Sequence, residues 1–324
     1  MSNYEVDLDS ESVSEIGELI EVVYPTHINW IIPGKYEFRS KIVHDMSTNI
    51  QLNDGNDYTL IKIPRQKEIY GMLFGVIKLI YDEKWFSTKE KSKLEFSKVE
   101  EYLTKAMHKY KLDDSSIIGL IGELTVLYNM LQNCGISNIN SVLDSWKGHS
   151  STSRDFIFSD ACVEVKTTRK SKSNHHIHGL NQVDVTDDDG GITQLFIASI
   201  GLEENDDDGV SLSRLVDKLT LLDFEEGKLD QLIDSIKSYG VNSIGYDHRL
   251  MKNWEQFNVN FKINFERYYD MSDPNIKLPK HSDFVPMSHL VTKTLNFLID
   301  LPDVVVEGQN PNNFSDFFKC IMKK

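Results

Sequence analysis

At 324 residues, with 40% hydrophobic and 26% charged residues, the chain is long enough for two or three globular domains. Its formal charge of −15 argues against tight non-specific binding of a polyphosphate by this chain alone, while leaving room for a local basic site. Cys134, Cys162 and Cys320 lie far apart without a CxxC, so neither a zinc site nor a disulfide framework is suggested. The acidic N-terminus shows no signal-peptide pattern and no apolar run is long enough for a bilayer; a cytoplasmic protein without membrane contact is expected.

The first 21 residues carry seven acids (Glu5, Asp7, Asp9, Glu11, Glu15, Glu18, Glu21) and no base. They are expected as a short surface helix from Ser10 or Ser12, or as a mobile tail. A solvated face accounts for them better than mimicry of DNA. Residues 28–32, 36–43, 58–63 and 72–80 are rich in β-formers, with turns at Pro33-Gly34 and Asn53-Asp54-Gly55. The reading is an antiparallel β-rich domain over residues 1–85, suited to contact with a partner or with DNA. Trp30 and Tyr36 fit its core better than a stacking surface. Residues 87–112 then predict an amphipathic helix with Phe96, Val99, Leu103, Ala106 and Tyr110 on one face. Its lysines (89, 91, 93, 98, 105, 109 and 111) interleave with Glu90, Glu95, Glu100 and Glu101, the pattern of a solvated face.

Residues 117–131 read as one helix, apolar around its whole circumference and therefore buried, capped at Asp114 or Ser115 and stopped at Cys134-Gly135. Glu123 is its only charge. A lone carboxylate in a buried helix needs a partner, either a remote Arg or Lys or a metal ion. Gly119 and Gly122 flank it and would let the helix sit close against a sheet.

Two short strands follow, Asp155-Phe156-Ile157-Phe158 and Val163-Glu164-Val165-Lys166. With Ser159-Asp160 as a two-residue turn, Asp155 faces Glu164 across the hairpin, with Cβ atoms about 4.5–5.5 Å apart. Glu164 and Lys166 share one strand face. Carboxylates that close repel unless a cation lies between them, and oxygen ligands without thiolate select a hard ion such as Mg²⁺. Lys166 adds a positive charge where a phosphorane or attacking hydroxide needs one, which with a metal is equipment for cutting phosphodiesters. An ordinary hairpin with two surface acids and a lysine shows the same short pattern.

Between Lys166 and His178 lie Arg169, Lys170, Lys172, His175 and His176 with no acid among them, a loop suited to phosphate contact. Zinc binding by His175, His176 and His178 is the rival, disfavoured because adjacent histidines point apart. Residues 177–183 could begin a helix, and Asp187–Gly191 reads as a turn. Residues 193–202 predict a buried strand extending the core sheet, and 211–222 and 228–239 predict helices, the second ended by Gly240. The Asp-rich loops do not fit EF-hand spacing. Phe257, Val259, Phe261, Ile263 and Phe265 alternate with polar residues as a strand, to which residues 295–299 are expected to pair.

The order Gly-Leu-Ile-Gly-Glu-Leu on a helix, Trp146-Lys147-Gly148, Arg154-Asp155-Phe156, Glu164-Val165-Lys166-Thr167-Thr168 and then Gln182 resembles the PD-(D/E)XK nuclease superfamily. More narrowly it is similar to a bacterial family of PD-(D/E)XK motif proteins found with restriction and phage-defence genes. The clear motifs cover residues 119–182. The name-giving Pro is absent, since Arg154 precedes Asp155. The resemblance implies an α/β (α+β), restriction-endonuclease-like core, a mixed central sheet flanked by helices, over residues 86–225, with a C-terminal accessory unit over 226–324. It implies that Asp155, Glu164 and Glu123 bind Mg²⁺ (with Mn²⁺ as a substitute), that Lys166 positions or activates water, and that Gln182 positions the lysine or substrate. Arg169, Lys170, Lys172 and His178 are the expected nucleic-acid contacts.

There is no P-loop, GxGxxG, GxSxG or HExxH. Any ATPase or helicase motor, or methyltransferase, working with this chain would be a separate defence-system polypeptide; a homodimer is also compatible. The favoured expectation is a Mg²⁺-dependent DNA endonuclease of restriction or defence type, the alternative a non-catalytic DNA- or partner-binding subunit.

Overall fold

The computed structural model describes residues 9–86, 92–110, 112–148, 154–185, 191–206, 209–239 and 245–322. Lys89, Lys91 and Lys111, most of the expected Asp187–Gly191 turn, and the Gly240 stop lie outside them. The chain divides into two compact units, Met1–Leu112 with Ile236–Phe257, and Asp113–Ser235 with Asn258–Lys324. Both combine sheets with flanking helices, a mixed α/β architecture. No helix among the described residues is long and apolar enough to cross a membrane.

The first unit holds an antiparallel sheet of β1 (Ser12–Ile16), β2 (Leu19–Val23), β3 (His27–Pro33), β4 (Ser47–Gln51) and β5 (Asp57–Pro64), ordered β1-β2-β3-β5-β4. From Ser12 the acidic N-terminal stretch is thus an edge hairpin, in place of the expected helix; Glu5 and Asp7 lie outside the described residues. Gly17 turns it at φ +61°, Leu19 and Val22 are buried, and Glu15 and Glu18 face solvent. An edge strand tolerates carboxylates on its open side, so the charge run hid the pairing. Trp30 is fully buried, and its indole N–H donates to Glu21 at 2.9 Å.

Two expected strands are not formed. Residues 36–43 run irregularly into the short helix α1 (Lys41–Asp45), and residues 72–80 lie inside α2 (Lys67–Asp82). The helix buries Ile69, Leu73, Val76 and Ile80 along one face, at spacings of three and four. Phe74 and Tyr81, apolar yet exposed, fill the gaps between them and disguise that period as a continuous β-like run. The amphipathic helix α3 (Ser92–Tyr110) buries Phe96, Val99, Leu103 and Ala106 and packs on α2. It therefore groups with the first unit, beyond the boundary drawn at residue 86 from sequence.

The second unit is built on α4 (Asp114–Asn133) and a four-stranded mixed sheet. The strands are β6 (Phe156–Ile157), β7 (Ala161–Thr168), β9 (Gln194–Glu204) and β10 (Phe261–Asp270), in the order β10-β9-β7-β6. Only β7 and β9 run parallel. Asp113 caps α4 through the Ser116 N–H at 2.7 Å, one residue before the expected position. A Cβ on Gly122 would overlap Thr167 of β7, so this glycine sets the close approach of helix and sheet. Helices α5 (Ile139–Ser145), α6 (Leu212–Thr220) and α7 (Lys228–Lys237) complete the unit's middle segment.

Residues 173–178 form a strand, β8 (Ser173–His178), rather than a loop, and its partner is β11 (Asn296–Leu301). The expected pairing of residues 295–299 with the strand near 257–265 does not occur, because β10 lies on β9 instead. Ile299 and Leu301 join Ile177, Leu180, Cys162 and Leu195 in one buried cluster. Burial of that apolar face explains the β8–β11 pairing, and the C-terminal segment completes this core instead of forming an accessory unit. Residues 177–183 likewise divide between β8 and a single 3-10 turn, Leu180–Gln182.

Candidate active site

The hairpin β6–β7 has the register that the turn at Ser159-Asp160 demands. Phe156 pairs with Val163 and Ile157 with Cys162, so Asp155 stands opposite Glu164 just beyond the last ladder pair. The chain before Asp155 is held too. Trp146 bridges to Phe156, and the Lys147 N–H donates to the Asp155 carbonyl at 2.7 Å.

Asp155 Oδ2 accepts the Val165 N–H at 2.6 Å. Its carboxyl is held well above the usual carboxylate range, first by burial and then by the charges of Glu123 and Glu164. The Val165 hydrogen bond and the Lys166 charge oppose that rise without cancelling it. Glu123 and Glu164 are themselves only 5% and 4% exposed, so three carboxyl groups share one poorly solvated place. Glu123 arrives on α4, which packs on the Thr167 side of β7, opposite the face that carries Glu164 and Lys166. Its Oε2 accepts the Trp146 indole N–H at 2.9 Å. A Cβ on Gly148 would overlap that same oxygen, so only a glycine lets the backbone pack this closely against the carboxylate.

Lys166 is gripped from two sides. Its ammonium lies 2.8 Å from Glu164 Oε1 and donates to Gln182 Oε1 at 2.9 Å. The Gln182 oxygen also accepts the His178 N–H at 2.8 Å, which ties it to the end of β8. Gly179, at φ +94°, makes the turn between them, where a side chain would strike the Lys293 carbonyl.

The structure thus gathers Asp155, Glu164, Lys166, Glu123 and Gln182. The expected nucleic-acid contacts are less uniform. Arg169 is ion-paired with Glu204 and stacks its guanidinium 5.7 Å over Phe261. Lys170 is tethered to Asn174, and Lys172 is exposed. His178 is exposed, with Nδ1 2.8 Å from Asn296 Oδ1. His175 turns inward, its Nε2 2.7 Å from Ser199 Oγ, and burial lowers its pKa to about 3. It therefore stays neutral and takes no part in binding phosphate.

Sequence reasoning assigned no role to Trp146, Asp184 or His281. The Arg154 guanidinium donates to the Asp184 carbonyl at 2.9 Å, while the Asp184 carboxylate accepts the His281 backbone N–H at 2.6 Å. This ties the residue before Asp155 to the one two positions after Gln182. The Trp146-Lys147-Gly148 triplet was the only signal for Trp146, and His281 had none.

Among the described residues no three His, Cys, Asp or Glu side chains already stand as a metal cage. A hard cation takes one or two carboxylates and completes its shell with water and phosphate oxygen. The clustered carboxyls supply oxygen donors of the kind such an ion takes.

A family model described as "Putative PD-(D/E)XK family member, (DUF4420)" matches residues 96–270. No curated protein and no solved structure matches the chain.

Proposed function

The chain belongs to the DUF4420 family, described as PD-(D/E)XK members, and on that footing we propose that it is a metal-dependent DNA endonuclease of a restriction or phage-defence system. The observation that carries this reading is Lys166 held between Glu164 and Gln182 beside the raised carboxyl of Asp155. A surface hairpin would have no reason to bury these groups together.

In this reading Asp155, Glu164 and Glu123 hold Mg²⁺, or Mn²⁺ in its place. The ion supplies a Lewis acid and makes water a nucleophile near neutral pH. Lys166 directs its ammonium at the scissile phosphate or the attacking water, where charge grows in the transition state. Gln182 fixes the direction of that ammonium, and Glu164 limits its swing. Lys170, Lys172 and His178 lie on the chain that leaves the site and supply phosphate contacts, with Arg169 contributing once released from Glu204. The chain's charge of −15 favours a partner that brings the DNA, such as a separately encoded motor or methyltransferase.

The test incubates purified protein with plasmid, phage DNA and RNA, in Mg²⁺, Mn²⁺ or EDTA. Cleavage of DNA that needs the cation and is lost in Lys166→Ala is the expected result. Cleavage at wild-type rate in Lys166→Ala would refute the mechanism. Absence of cleavage on every substrate, with genomic neighbours supplied, would favour a non-catalytic subunit.

A further inference from the structure

The first unit holds a pocket of its own beside the end of β3. After β3 the chain passes Gly34 at φ +98°, and the Tyr36 N–H is anchored to Thr59 Oγ1 at 3.1 Å. Thr59 is fully buried and donates to the Gly34 carbonyl at 2.8 Å, so the segment is fixed rather than loose. The Tyr36 ring lies flat on Phe96, with centroids 5.0 Å apart and planes 2° from parallel, while Phe38 meets both rings edge-on. Tyr36 and Phe96 floor a pocket of about 600 Å³ lined also by Lys35, Arg39, Asn49 and Lys93. Lys35 is paired with Asp57 at 2.9 Å, whereas Arg39 and Lys93 are exposed, with Glu37 the one acid in the lining.

A half-buried aromatic ring on a rigid support, with cations at its margin, is the chemistry that recognises a nucleotide: the ring stacks on the base and the cations meet the phosphate. In a chain of net charge −15, a cation-rich pocket stands against the general field. We propose that this pocket binds a nucleotide unit, by stacking on Tyr36 and phosphate contact from Arg39 and Lys93. The unit is either a free nucleotide or one residue of a single strand, and both present the same base and phosphate. The proposal is independent of the nuclease reading, since it involves none of the carboxylates.

The experiment titrates full-length protein, in EDTA to prevent cleavage, into fluorescent mononucleotides and into a short single-stranded oligonucleotide. Tyr36→Ala is expected to weaken binding about tenfold, and Tyr36→Phe to preserve it, because the ring and not the hydroxyl does the stacking. For the oligonucleotide, the double variant Arg39→Ala/Lys93→Ala is expected to flatten the logarithmic salt dependence by about 1.4, two single-strand phosphate contacts. Binding of mononucleotides with these losses identifies a free-nucleotide site; binding confined to the oligonucleotide with the same losses identifies a strand contact. If Tyr36→Ala lowers the melting temperature, Arg39→Glu decides, being exposed and outside the packed rings. Unchanged affinity in Arg39→Glu and in the double variant would overturn the proposal, whatever the result of the cleavage assay.

Discussion

Asp155→Asn tests the electrostatics of the site without asking for cleavage. In the folded protein, burial and the charges of Glu123 and Glu164 outweigh the Val165 N–H and the Lys166 ammonium, so the Asp155 carboxyl resists ionising. A group whose pKa is raised on folding costs stability once the pH exceeds its value in the unfolded chain, and the cost grows until the folded group also ionises. Asparagine has nearly the same shape, and its amide oxygen can still accept the Val165 N–H that Asp155 receives at 2.6 Å. The substitution should therefore stabilise the metal-free protein at neutral pH, read as a melting temperature above that of the wild type. The gain should shrink as the pH falls and Asp155 protonates. Adding Mg²⁺ should raise the melting temperature of the wild type and leave Asp155→Asn nearly unmoved, by linkage to binding. Calorimetric melts in EDTA and in Mg²⁺ across pH 4–8 measure all three effects. A variant melting at or below the wild type in EDTA at neutral pH, with its circular dichroism unchanged, would refute the reasoning.

Lys166→Ala should lower single-turnover cleavage by about 10²–10³-fold while leaving Mg²⁺ affinity, read by calorimetry, close to wild type. Lys170→Ala with Lys172→Ala should reduce the logarithmic salt slope of duplex binding by about 1.8, and adding Arg169→Ala should change it less than a third lysine would, because Arg169 already pairs with Glu204. Gly122→Ala should destabilise the protein by about 1–3 kcal/mol in denaturant titration, since its methyl group meets Thr167. His175, with its pKa lowered to about 3 mainly by burial, remains neutral in the folded state while the unfolded chain protonates near 6.5. Its contribution to stability should therefore be lost as pH falls from about 6.5 toward 3, and His175→Gln should flatten that part of the stability curve.

The hairpin and its register were legible because period-two alternation and a two-residue turn leave one arrangement that opposes Asp155 and Glu164. The buried helix was legible because its apolar residues cover every direction and Asp113, Asp114 and Ser115 crowd its start. Helix α2 was misread for the opposite reason. Phe74 and Tyr81 are apolar at exposed positions, so hydrophobicity alone carried no period. Strand β8 escaped because its outward positions hold Asn174, His176 and His178, polar residues that look like a loop until β11, more than a hundred residues later, supplies the other half of the ladder. Local pattern records which face a residue prefers; it does not record which distant strand will cover that face.

The partners of the site's charged groups explain why particular neutral residues stand there. Asp155 is satisfied by a backbone N–H, Glu123 accepts from the Trp146 indole, and Lys166 donates to the amide oxygen of Gln182. A neutral donor meets a carboxylate's need for a hydrogen bond without cancelling its charge, whereas an arginine in the same place would spend that charge on a structural ion pair. Glutamate at position 182 would hold Lys166 more strongly, but it would add another negative group beside Glu164, where Asp155 already resists ionising. Glutamine avoids this while still receiving the His178 N–H, so the direction of the ammonium is set by the end of β8. The Lys166 ammonium is thus held by one carboxylate, Glu164, and directed by a neutral amide oxygen that adds no further negative charge to the cluster.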